Sequence, residues 1–158
     1  MRHPVLLACC MLGAVHLLRA APPKPPVAWQ VRPVKPVKAG ARFQVFLTGT
    51  IDPGWRLYAL EEPDGGPIAT VIALADGDPA DLERVTEGKP KVVPDPAFGL
   101  STGYFAGTAT FTLQLAMTRG AKAGDHPLHV LVRYQSCNDR VCLPPRTDIV
   151  SVPVTVKP

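Results

Sequence analysis

"TATFTLQLAMT" (residues 108–118) alternates without a break: Phe111, Leu113 and Leu115 fall on one side, Thr110, Thr112 and Gln114 on the other. A period of two marks a half-buried strand, because successive side chains of an extended backbone point to opposite faces. Four more runs read the same way: "RFQVFLTGTI" (42–51), "GPIATVIALA" (66–75), "HPLHVLVRYQ" (126–135) and "TDIVSVPVTV" (147–156). "VAWQVRPVKPV" (27–37) is expected at a sheet edge, since its prolines cannot donate to a ladder. The 19 prolines leave no window for a long helix, and "PADLERVTEG" (79–88) is the one modest helical candidate. Turn clusters at "EEPDGG" (61–66), "DGDP" (76–79) and "RGAKAGD" (119–125) separate the runs. Some seven short antiparallel strands so punctuated predict an all-β fold, an immunoglobulin-like antiparallel β-sandwich.

The N-terminus has a different character. "MRHPVLLACCMLGAVHLLRA" carries a basic start (Arg2, His3) and an apolar run from Val5 to Leu18 broken only by His16. That run suits the core of a signal peptide and is too short to span a bilayer with ease. Residues 1–20 are expected to be cleaved after Ala20, exporting the chain to the periplasm; a lipoprotein anchor at Cys9 is disfavoured by the four apolar residues ahead of it. Residues 21–38 then form a Pro-rich linker and edge strand, and 39–158 the sandwich domain. Cleavage leaves 138 residues, lowers the net charge from +4 to +2 and reduces four cysteines to two, Cys137 and Cys142. No basic block with interleaved aromatics suggests a nucleic-acid surface, so no nucleic-acid partner is expected, and the domain is expected to be monomeric.

The remaining cysteines stand in "YQSCNDRVCLPP" (134–145), between two strand-like runs. In an exported protein, two cysteines without a third pair with each other by default. Three roles are open to them. As a staple, a bridge closing about six residues adds only ~2 kcal/mol, against nearly 5 for ~100 residues. As a metal clip they would need His126 and His129, which alternate to opposite faces of a strand, so no metal is expected. As a redox couple they need access and a stabilised thiolate; Arg140 between them favours the thiolate, and Asp139 opposes it. No Gly-x-Ser-x-Gly elbow, His-Glu-x-x-His or phosphate-cradling loop points to hydrolase or phosphoryl chemistry, and no cofactor is expected.

"VRYQSCNDRVCLPP" resembles the active-site segment of the N-terminal periplasmic domain of the thiol:disulfide interchange protein DsbD, the disulfide bond corrector domain family. "GWRLYAL" (54–60), "GGPIATVIAL" (65–74) and "DPAFGLSTGYFAGTATFTLQL" (95–115) follow in the family's order, so the resemblance covers most of 40–156. It implies an immunoglobulin-like fold and a thiol:disulfide relay, with Cys142 forming the mixed disulfide and Cys137 resolving it. It also implies a cap, Phe98, over the sulfurs, with Tyr58, Asp95, Tyr134, Gln135 and Arg140 lining the site. The implied partners are thioredoxin-like proteins and a membrane electron donor, met through transient mixed disulfides. Arg56 stands where some members carry a second tyrosine, and Asp95 lies at a shifted spacing, so thiol tuning is expected to differ here. This sequence ends at Pro158, so electrons would be expected from separate proteins. The competing expectation is a non-catalytic immunoglobulin-like interaction domain with a purely structural disulfide.

Overall fold

The computed structural model describes residues 24–158. The expected signal peptide, Cys9 and the start of the linker lie outside the described residues. Thirteen strands follow in chain order: β1 (Val27–Val31), β2 (Arg42–Ile51), β3 (Arg56–Tyr58), β4 (Val71–Leu74), β5 (Ala80–Glu87), β6 (Lys91–Asp95), β7 (Leu100–Phe105), β8 (Thr108–Met117), β9 (Gly124–Asp125), β10 (Leu128–Tyr134), β11 (Ser136–Cys137), β12 (Arg146–Val152) and β13 (Thr155–Val156). All strand pairings are antiparallel. One sheet has the order β1-β2-β8-β5; opposing it are β12-β10-β4 and β11-β3-β7-β6, and β13-β9 forms a small ribbon.

The core is the set of inward alternates. Val45, Leu47 and Ile51 from β2 and Phe111, Leu113, Leu115 and Met117 from β8 meet Leu128, Val130, Val132 and Tyr134 from β10. Val152 of β12, Leu57 of β3 and Phe105 of β7 complete it. The outward partners Thr108 and Thr110 are exposed, as the alternation of 108–118 requires. Trp29 of β1 lies opposite Gly49 of β2. Its ring packs on the bare backbone, edge-on to Tyr134 at 5.5 Å and tilted against Phe111 at 6.1 Å. A methyl at Gly49 would sit 2.8 Å from the indole, so the close approach explains the glycine.

Two expectations need correction. The helical candidate 79–88 is strand β5, paired with β8. A bulge between Leu82 and Arg84 inserts one residue, so the inward positions run Ala80, Leu82, Val85 and Glu87. The insertion stretches one spacing from two to three and gives a strand a helix-like rhythm. The edge strand expected over 27–37 stops at Val31, two residues before Pro33; Val37 instead forms an isolated parallel bridge with Val156.

In the β11-β3-β7-β6 sheet, strands β11, β3 and β7 are buried on both faces, and that places the site. Leu57, Phe105 and the core-side Ser136 share one face and join the main core. The alternating positions Cys137, Tyr58 and Tyr104 face the other way and form a second, smaller cluster with Val93, Phe98 and Cys142.

Candidate functional site

Cys137 and Cys142 are joined by a disulfide, with S–S 2.03 Å and Cα atoms 4.0 Å apart. They form an isolated antiparallel bridge. The turn between them is built by Asn138, whose Oδ1 accepts from Arg140 N–H and Val141 N–H, both at 2.9 Å. Its own N–H donates to Val141 O at 2.9 Å. Asn-Asp directly after a cysteine is a turn signature that could have revealed Asn138 as the organiser of this loop. Leu143 N–H donates to Ser136 O at 2.9 Å, so the returning chain runs along β11 before Pro144 and Pro145. Residues 141–143 therefore occupy the backbone edge beside the sulfurs. Access to the disulfide is from the side-chain face, where Cys137 is only 2% exposed and Cys142 is half-buried.

That face is an aromatic patch bound to one carboxylate. Asp95, 4% exposed, accepts from Tyr58 OH at 3.2 Å and from Thr102 OH at 3.3 Å through Oδ2. Its Oδ1 takes Ala97 N–H at 3.0 Å, and its backbone carbonyl takes Phe98 N–H and Gly99 N–H. Asp95 thus nucleates the β6–β7 turn, which closes on Gly99 at φ +68°, a conformation L side chains rarely adopt. The turn presents Phe98 edge-on to Tyr58 at 6.2 Å, in the cluster that holds the disulfide. Burial, then the Asp95 charge and the hydrogen bond to it, push the Tyr58 phenol well above its ordinary pKa, with Arg56 opposing. Tyr58 is therefore a fixed neutral donor to Asp95.

Arg56 is the cross-strand partner of Cys137. Its guanidinium pairs with Asp139 and lies 5.1 Å from the centre of the Tyr104 ring, which Lys91 also approaches at 5.9 Å. Tyr104, Val93 and Thr102 belong to this face and were not singled out from sequence. Their signal lay in the alternation of β6 and β7, which Pro94 and Gly103 interrupt.

The other candidates disperse. Tyr134 lies in the main core, edge-on to Trp29 with its OH donating to Asp148 at 2.7 Å, because alternation along β10 places it with Val130 and Val132. Gln135 lies behind the loop as a tie: Oε1 accepts from Ile68 N–H at 3.0 Å and Nε2 donates to Leu143 O at 3.2 Å. Arg140 is exposed, and the cation adjoining Cys137 in the ladder is Arg56. His126 and His129 are each held locally, by Lys122 O and by Asp78. No metal-binding group of three His, Cys, Asp or Glu occurs among the described residues.

A family model described as thiol:disulfide interchange protein DsbD, N-terminal, matches residues 23–153. No curated protein matches the chain. Among solved structures, the reduced DsbD N-terminal domain of Neisseria meningitidis is similar with 19% identity and a TM-score of 0.57, covering 84% of this chain and 89% of that one. A structure of the complex between the DsbD N-terminal and PilB N-terminal domains from the same organism is similar with 17% identity and a TM-score of 0.52, covering 84% and 86%. The N-terminal periplasmic domain of ScsB from Proteus mirabilis shares 14% identity at a TM-score of 0.52, covering 82% of this chain and 45% of that one. These likenesses carry the immunoglobulin-like sandwich. With the family model spanning most of its length, this chain belongs to the family of DsbD N-terminal domains, whose general chemistry is thiol:disulfide interchange.

Proposed function

We propose that the domain is a periplasmic relay for reducing equivalents that cycles Cys137–Cys142 between a membrane or thioredoxin-like donor and exported thiol-oxidoreductase partners, cytochrome c maturation being one destination. The observation that carries this reading is the inequality of the two sulfur positions: Cys137 is sealed, and Cys142 is half-buried in the same cluster as Phe98. Exchange requires in-line approach of a thiolate to one sulfur. Cys142 is the sulfur a visitor reaches, and Cys137 is the one that leaves or returns. When the pair reduces a partner, the Cys142 thiolate attacks the partner's disulfide and releases one partner thiolate. Cys137 then attacks Cys142, reforms the internal bond and releases the second.

Phe98 acts as a cap that a docking partner displaces, on a turn anchored by Asp95 that holds its shape when the ring moves. The complex with the PilB N-terminal domain solved for the Neisseria relative supports partners that dock on this kind of domain, and we assign thioredoxin-like proteins to that role here.

The test is a trap. Replacing Cys137 by Ala leaves Cys142 without its resolving thiol, and exported extracts should then show a mixed-disulfide adduct on non-reducing gels. The intact pair should be reducible by a thioredoxin-like donor, whereas a purely structural bond lies below about −300 mV and resists it. Absence of adducts together with resistance to reduction would leave an interaction domain with a staple.

A further inference from the structure

We propose that Arg56 is the charge-positioning residue of the redox pair: it supplies the positive charge that holds Cys137 as a thiolate, and Asp139 competes for that charge. This rests on the relay reading and assigns a residue to its resolving step. In that step the Cys137 thiolate attacks Cys142 Sγ. The Cys137–Cys142 bond forms, the bond from Cys142 to the partner breaks, and the electron pair leaves on the partner's sulfur, which takes a proton from solvent. The cysteines are oxidised and the partner is reduced, with no further reagent.

The attacking thiolate has a solvation problem. Cys137 is 2% exposed, and burial disfavours the charged form of a thiol. The charged and titratable groups on this face are few: Arg56 and Tyr58 from β3, Tyr104 from β7, Asp95 and Lys91 from β6, and Asp139 and Arg140 from the loop. Tyr58 is committed to Asp95, whose carboxylate repels a second anion. Lys91 lies against Tyr104. Arg140 is exposed on the turn.

Arg56 is different on three counts. It pairs with Cys137 across the ladder, and directly opposed residues project from the same face with their Cβ atoms roughly 4.5–5.5 Å apart. Its side chain is 27% exposed and lies against Tyr104, so solvent screens it only in part. Its ion-pair partner, Asp139, lies inside the short loop that the disulfide closes, two residues from Cys137, with a side chain 82% exposed. The guanidinium therefore shares one sheet face with an exposed carboxylate, to which it is paired, and a buried sulfur. Opening the disulfide places a negative charge on the sulfur side.

The experiment titrates Cys137 alone. In the exported chain carrying Cys142→Ser, the thiolate of Cys137 is followed by its ultraviolet absorbance across pH. Arg56→Gln should raise the midpoint by about one pH unit or more, the scale of an opposite charge within ~4–6 Å. Arg56→Lys should keep most of the effect, and Asp139→Asn should lower the midpoint. An unmoved midpoint in Arg56→Gln, in a chain that melts like its parent, overturns the proposal. If Arg56→Gln does not fold, Asp139→Asn decides: a lower midpoint supports the proposal, an unchanged or higher one overturns it. The titration contains no partner, so it separates from the trap: adducts without a shift sink the Arg56 role alone, and a shift without adducts, in a pair that also resists reduction, sinks the relay alone.

Discussion

Removing the Phe98 ring tests whether the cap gates the disulfide. The ring is half-buried, packed edge-on to Tyr58, and carried by a turn whose hydrogen bonds all go to Asp95. Truncating a core phenylalanine costs ~3–5 kcal/mol. A half-buried ring forfeits less, and its aromatic pair adds about 0.5–1.5 kcal/mol beyond area. Together these place ~1–2 kcal/mol in the closed arrangement. Since 1.4 kcal/mol corresponds to a factor of about ten in an equilibrium constant, Phe98→Ala should raise the open population, and the rate of reduction by a small thiol, about tenfold. The assay follows loss of the disulfide by acid quench, alkylation and mass. Phe98→Leu, which keeps much of the apolar area, should fall between. A rate within roughly twofold of the parent would refute the gating argument. So would an equal acceleration in Gly49→Ala, a destabilising change in the opposite sheet, because global opening would then explain both.

Four further outcomes follow from the same contacts. Asp95→Ala should lower stability by ~2–4 kcal/mol in a denaturant titration, since it strands the hydroxyls of Tyr58 and Thr102 and releases the turn amide of Ala97. Gly49→Ala should cost ~1–3 kcal/mol in the same assay by driving a methyl into Trp29. Gln135→Ala should speed hydrogen exchange at the Ile68 amide, which loses its acceptor, and loosen the chain at Leu143. Burial raises the carboxyl groups of Glu62 and Glu87 above 4.5, against the amides of Ala59, Gly103 and Leu60 that favour their charged forms. The folded chain therefore binds these protons more readily than the unfolded one. Their contribution to stability grows as pH falls from neutral through the raised values toward 4.5 and is lost again as pH rises. The double substitution Glu62→Gln, Glu87→Gln should flatten that slope relative to the parent in denaturant midpoints taken across the mildly acid range.

Where one face meets the core and the other meets water, the sequence spelled its strands out, as in β2 and β8. It was less readable in two physical situations. In β5 the bulge at Glu83 shifted the inward rhythm and mimicked a helix. In β3 and β7 both faces are occupied, so inward Leu57 and Phe105 sit among Tyr58 and Tyr104 that are buried the other way, and the alternation vanishes. The site suffered for the same reason. Cys137, Cys142, Phe98, Tyr58 and Asp95 converge on one face. Tyr134 belongs to the opposite face of its strand, and its nearness in sequence to Cys137 concealed that difference. Tyr104 was hidden because aromaticity on a short strand carries no period of its own, and Arg56 was marked by the family resemblance alone.

The two faces of the small sheet separate the folding core from the disulfide. Leu57 and Phe105 anchor β3 and β7 in the main core, and Ser136 pairs with Leu57, so β11 is held through backbone and core contacts that involve no sulfur. The turn at Asn138 and the Leu143–Ser136 hydrogen bond already return Cys142 to a place opposite Cys137. Closing a loop of about six residues removes ~2 kcal/mol of chain entropy from the unfolded state. That benefit is small beside the several apolar side chains buried beneath the strand, each contributing about 1.5–3 kcal/mol. A bond that contributes so little to the fold can be opened without unfolding the domain. The frame then keeps the two sulfurs within reach of each other, so the opened pair can close again.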